Sequence, residues 1–314
     1  MSKVIIGIHG LGNKPTKNLL KEWWEQSILE GLQKLNFSRQ DFELELVYWA
    51  DILNKIPILP DATKDKNSQF LKEKYLPEQN VGPAEPPGLR KKSAEYLARY
   101  YEKIIVDEVM SLEHPALTDF FIKYNMRELE AYYSHADFYY QGEKRSIKEV
   151  MVERLTDTLK KHKNKEIMLV AHSMGSMISH DALMDKSDGI AIDTLVTLGS
   201  PLGQKYVINK IEAEHKSISH QRLKVPECIK KNWYNLSDPE DQIALTHSIS
   251  EIYTSNSKGV KVIDKLVKNS YSNSEDRNPH KSYGYLRTLE FAAIVHQFIS
   301  TEKRTVFSIL KKLF

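Results

Sequence analysis

A single cysteine in 314 residues excludes an internal disulfide, and with no second thiol there is no zinc framework either. Cys228 therefore reads as a small buried or half-buried side chain. No stretch approaches the roughly 18 or more apolar residues that a spanning helix needs. Met1-Ser2-Lys3, followed by Val4 to Ile8, lacks the apolar core of a secretory leader, so a reducing cytoplasm is the expected location. An excess of one charge is missing too. The 45 basic and 42 acidic residues leave a formal charge of +3, which argues against a nucleic-acid partner. Neither an internal repeat nor a low-complexity segment interrupts the chain. What is present, 41% hydrophobic and 28% charged residues, is the balance of a soluble globular protein. Its length suits one large α/β domain with an insertion, or two ordinary domains.

Val4 to Ile8 is an apolar run ending at Gly10 and Gly12, as in a buried parallel strand followed by a turn. Pro15-Thr16 opens a helical pattern with Leu20, Trp24, Ile28, Leu32 and Leu35 on one face, and Phe42 to Tyr48 alternates like a second strand. Strand, helix and strand within about fifty residues make a βαβ unit with parallel pairing. Residues 52 to 90 then hold six of the twelve prolines and read as irregular and exposed. Two amphipathic helices are expected next, one carrying Leu97, Tyr101, Ile104 and Val109, the other Leu117, Phe121, Tyr124, Leu129 and Tyr132. Ser146 with Glu149 is a capping box for a helix faced by Ile147, Val150, Met151, Leu155 and Leu159. Apolar runs at Ile167–Val170, Ile192–Leu198, Trp233–Leu236 and Val260–Ile263 bring the core to about six strands. The stretches Gly284–Ile299 and Thr301–Phe314 read as helical.

The strand at Ile167–Val170 runs into Ala171-His172-Ser173-Met174-Gly175 and then into a helical pattern. A serine hydroxyl is a weak nucleophile unless it stands beside a base and clear of the backbone. A sharp strand-to-helix turn lifts it clear, and the turn needs small residues two before and two after the serine, which Ala171 and Gly175 supply. The helix start also aims the Met174 backbone N–H at developing negative charge. Here the sequence resembles the α/β-hydrolase superfamily, in particular its lipase and esterase branch, with Ala171 standing where the family pattern has glycine. His9-Gly10-Leu11-Gly12 after the first strand is similar to the family's oxyanion loop, in which the Leu11 N–H would join that of Met174. A dinucleotide loop is excluded, because the third glycine it requires falls on Pro15.

The superfamily order is serine, acid, histidine. Ser237-Asp238-Pro239-Glu240-Asp241 follows the strand at Trp233–Leu236, and two aspartates compete for the acid. Asp241 fits the family's habit of an acid two residues before an aliphatic, here Ile243, whereas Asp238 lies nearer the strand end. For the base, His280 stands in a polar loop between the last strand and the last long helix, where the family keeps its histidine. His247 follows the acid too closely, His296 lies on an apolar helical stretch, and His9 and His172 read as residues that shape their turns.

The resemblance implies an α/β-hydrolase fold, a mostly parallel sheet of residues 1–51 and 146–314 with residues 52–145 inserted as a helical cap. Tyr100, Tyr101, Phe121, Tyr132 or Tyr133 would line such a cap. A second insertion, Leu202 to Lys224, borders the site in this reading. The expected chemistry is cleavage of a small-molecule or lipid carboxylic ester through an acyl-enzyme on Ser173, with Asp241 and His280 completing the triad. No metal or organic cofactor is implied. A thioesterase or acyltransferase would use the same residues, and a binding protein without turnover is the reading from another class. The basic amphipathic stretch Glu302–Phe314 suits docking on its own protein or a peripheral membrane contact.

Overall fold

The computed structural model describes residues 1–37, 41–58, 74–78, 126–134, 137–185, 188–214, 223–244, 246–272 and 277–300. The expected helix from Leu97, residues Leu117 to Tyr124 of the next, and Glu302–Phe314 lie outside them, as do Tyr100, Tyr101 and Phe121.

In chain order the elements are β1 (Lys3–Ile8), α1 (Lys17–Lys34), β2 (Leu44–Val47), α2 (Ala50–Leu53), α3 (Met126–Tyr133), β3 (Asp137–Tyr140), β4 (Glu143–Ser146) and α4 (Ile147–Lys161). Then come β5 (Glu166–His172), α5 (Met174–Asp185), β6 (Ile192–Leu198), α6 (Lys205–Glu214), β7 (Leu223–Lys224), β8 (Ile229–Ser237), β9 (Tyr253–Thr254), β10 (Val262–Leu266), α7 (Ser282–Leu286) and α8 (Leu289–Ile299).

Six strands form one parallel sheet in the order β2-β1-β5-β6-β8-β10, and each of the six strands expected from the sequence falls on one of them. Both faces of the central strands β1, β5 and β6 are covered, which is why these read as nearly continuous apolar runs, whereas the edge strand β2 alternates. Val4, Ile6 and Ile8 pack with Ile147, Met151 and Leu155 of α4 and with Met177 and Ile178 of α5. Ile5 points the other way, into Leu20, Trp24 and Ile28 of α1 and Phe291 and Val295 of α8. The Ser146 capping box is formed: its side chain accepts the Glu149 N–H and the Glu149 carboxylate accepts the Ser146 N–H. Cys228 is buried, and burial pushes its thiol up to about 11.

The helical stretch Gly284–Ile299 is divided, because Thr288 accepts the Phe291 N–H and starts α8 afresh, while Arg287 turns inward to Glu30, the Leu76 carbonyl and Ser270. Two expectations are corrected. Residues Asp137–Ser146 form an antiparallel hairpin, β3 with β4, within the stretch expected to be helical. Tyr132 and Tyr133 do not line the cleft that holds Ser173. They are buried in the main core, where the Tyr132 hydroxyl donates to Asp181 Oδ2 at 2.6 Å.

Candidate active site

The sheet order places a topological switch between β1 and β5. The chain leaves β1 towards α1 on one face and leaves β5 towards α5 on the other, which opens a crevice beyond the carboxyl ends of these two strands. Ser173 stands at the end of β5 in that crevice. Its φ of 54° is the left-handed conformation that non-glycine residues seldom adopt. Neighbours enforce it. The Ser173 N–H donates to the Leu198 carbonyl at 3.0 Å, and its carbonyl accepts both the Ser176 N–H and the Ser176 hydroxyl, at 2.8 and 2.6 Å. Ser176 in turn shares a hydrogen bond with Ser200 at 2.7 Å. A Cβ at position 175 would stand 2.7 Å from the Ile8 carbonyl oxygen and 2.8 Å from that of His9, so only glycine lets α5 start this close to β1.

Three loops meet here. His280, from the loop after β10, has Nε2 2.9 Å from Ser173 Oγ. Its Nδ1 lies 2.8 and 3.0 Å from the two oxygens of Asp241, from the loop after β8. An Nδ1–H donated to Asp241 leaves Nε2 free to accept from the serine. Asp241 Oδ1 also accepts the Ile243 N–H at 2.9 Å, and Oδ2 accepts the Tyr285 hydroxyl at 2.6 Å. Burial and the Asp241 charge hold the Tyr285 phenol far above its ordinary range, so it remains a donor. Asp238 does not reach His280. Its carboxylate accepts the N–H groups of Glu240 and Asn269, at 2.8 and 2.6 Å, and pairs with Arg277.

The two turn histidines are neutral, their pKa values driven well below the usual histidine range, by burial first of all. His172 Nε2 lies 2.7 Å from the His280 carbonyl, so a neutral His172 donates there and steadies the backbone of the base. His9 accepts the Trp49 N–H on Nε2 at 3.0 Å and therefore donates from Nδ1 to the Gly10 carbonyl at 2.9 Å. Gly10 abuts Ser173, since a Cβ there would stand 2.6 Å from that of the serine. Met174 opens α5, so its N–H is a first-turn donor without an intrahelical acceptor. Leu11 lines the cleft with Leu20, Trp24, Ile243 and Tyr283, an apolar set, while Lys14 and Lys281 supply its cationic side chains.

A family model described as the PGAP1-like alpha/beta domain matches residues 119–302, more than half of the chain. The chain belongs to this family. The PGAP1-like span contains Ser173, Asp241 and His280, while β1 and β2 precede it. With its parallel six-stranded sheet and flanking helices, this PGAP1-like protein has the α/β-hydrolase fold that the sequence resemblance implied. A search among curated protein sequences gives no match. Among the described residues no acidic, histidine or cysteine cluster could hold a metal ion, and no helix is long and apolar enough to cross a membrane.

Sequence reasoning missed Tyr285, Ser176, Lys14 and Glu128. A pattern at Ser200 was visible, because Gly199-Ser200-Pro201 ends an apolar run, but nothing in the local sequence marks a tyrosine that reaches the acid or a glutamate that reaches a loop 116 residues away.

Proposed function

We propose that this protein is a serine hydrolase that cleaves carboxylic esters through an acyl-enzyme. The observation that carries the reading is the hydrogen-bonded series Ser173 Oγ, His280 and Asp241 on a serine held at positive φ. Ser173 Oγ attacks the ester carbonyl while its proton passes to His280 Nε2, and the imidazolium so formed is stabilised by Asp241. The N–H groups of Leu11 and Met174 stabilise the tetrahedral oxyanion. His280 then returns the proton to the departing alkoxide. Water, deprotonated by the same imidazole, releases the acid and restores the serine. The apolar lining by Leu20, Trp24, Ile243 and Tyr283 suits an acyl chain. In this reading residues 52–145 form a cap over the core.

A fluorophosphonate probe should label the native protein and leave Ser173→Ala unlabelled, and p-nitrophenyl esters of graded chain length should be turned over by the native protein alone. Equal labelling of both proteins, or ester turnover that survives Ser173→Ala, overturns the reading. An acyl-thioester in the same panel separates thioesterase from esterase activity.

A further inference from the structure

The proposed oxyanion donor Leu11 lies between two peptide planes, and side chains grip both. A trans peptide is rigid, so fixing its C=O fixes the direction of the N–H at its other end. His9 takes the Gly10 carbonyl and thereby sets the direction of the Leu11 N–H. The next plane is gripped at both ends: Lys14 Nζ donates to the Leu11 carbonyl, and Glu128 Oε2 accepts the Gly12 N–H at 2.7 Å. Lys14 also donates to the Gly12 carbonyl at 3.0 Å. Gly12 itself has a φ of 85°, a conformation that glycine allows but that nothing within the residue enforces. The enforcing contact comes from elsewhere in the chain. Glu128 lies in the first turn of α3, is 7% exposed, and has its second oxygen 3.4 Å from Asn54 Nδ2 at the end of α2. A buried carboxylate without its donors is costly, so this one has reason to stay on the loop.

We propose that Glu128 is a positioning residue for the oxyanion loop, holding the Leu11–Gly12 peptide from the opposite end to Lys14, and that the inserted segment thus takes part in catalysis through the loop as well as any covering role. The proposal rests on the reading of Leu11 as an oxyanion donor. Glu128 touches no reacting atom. Its contribution is to the geometry in which the tetrahedral oxyanion is met, so its loss should weaken binding of that oxyanion and spare the ground-state ester.

The test uses the full chain with p-nitrophenyl butyrate as substrate and an aryl trifluoromethyl ketone, which forms a tetrahedral oxyanion on the serine, as inhibitor. Glu128→Ala should lower kcat about 10- to 100-fold with KM changed less than about twofold, and should weaken the ketone by a similar factor. Glu128→Gln keeps an acceptor for the Gly12 N–H and should restore both quantities to within a fewfold of the native protein. Glu128→Asp keeps the charge but shortens the reach, so it should resemble Ala, and it decides the matter if Glu128→Ala does not fold. Native kcat in Glu128→Ala or Glu128→Asp overturns the proposal, as does a fall in kcat that leaves ketone affinity untouched. Ser173→Ala, run alongside, separates the two ideas. If it stays active the esterase reading falls with this one, whereas an inactive Ser173→Ala beside a fully active Glu128→Ala removes only the role of Glu128.

Discussion

Two buried aspartates, three residues apart, face different tasks, and the difference is a matter of which donors each one meets. Asp241 receives His280 Nδ1, the Tyr285 hydroxyl and the Ile243 N–H, all directed at a carboxylate. Asp238 receives two backbone N–H groups and the Arg277 guanidinium, and burial still pushes its carboxyl up to about 6. Asp241→Asn presents an amide to the His280 ring and favours the wrong tautomer, so kcat should fall on the order of 10⁴-fold with the fold intact. Asp238→Asn should act mainly on stability, costing about 1–3 kcal/mol as its donors lose an acceptor. Measuring kcat and Tm for both variants checks the pair, and a larger fall in kcat for a folded Asp238→Asn reverses the roles. The sequence made Ser173 legible because its turn imposes small residues at fixed offsets. The strand before the two aspartates narrowed the acid only to Asp238 or Asp241, and the family's spacing to Ile243 and its placement of the histidine pointed to Asp241 and His280. Tyr285 and Glu128 escaped because a long-range hydrogen bond imposes no local pattern.

At the scale of elements, helices α3, α4, α5 and α6 converge on one buried ammonium. Lys148, in the first turn of α4, lies 2.8 Å from Asp181 Oδ2 of α5 and also pairs with Glu214 of α6, while Tyr132 of α3 donates to the same Asp181 oxygen. The Lys148 and Asp181 side chains are only 8% and 4% exposed. Removing the cation leaves buried carboxylates uncompensated, so Lys148→Met should cost about 3–5 kcal/mol in chemical denaturation. Adding Asp181→Asn should recover part of that loss, because the two sites are coupled. A Lys148→Met variant within about 1 kcal/mol of the native protein would contradict this account. The capping box and apolar face of α4 were plain in the sequence, but Lys148 sits beside that face and reads as solvated until Asp181 and Glu214 are brought to it. The β3–β4 hairpin was hidden for a related reason. Its side chains are largely exposed, with only Ser146 buried, so burial imposes little pattern on Asp137–Ser146. The central strands β1, β5 and β6, covered on both faces, had no such freedom.

For the molecule as a whole, assembling the crevice between β1 and β5 means burying His9 and His172 without charge, and this ties stability to pH. Both have folded-state pKa values well below the ordinary histidine range, chiefly from burial, whereas in the unfolded chain they titrate near 6.5. Below that pH the unfolded chain gains protons that the folded one refuses, so stability present at neutral pH is lost on acidification. Between pH 7 and pH 5.5 each histidine should therefore remove stability. Asp238 acts in the opposite sense. Its folded value of about 6 lies above the ordinary aspartate range, so the folded protein gains a proton first, and this offsets part of the loss over the same interval. Two depressed histidines against one raised aspartate predict a net loss between pH 7 and pH 5.5, measurable by urea denaturation at each pH. His172→Gln keeps an N–H for the His280 carbonyl but cannot titrate, so it should lessen the loss, whereas Asp238→Asn should deepen it. A stability that holds level or rises over this interval, or a His172→Gln variant with the native pH dependence, would mean that the turn histidines are not held neutral and that the crevice tolerates charge beside the nucleophile.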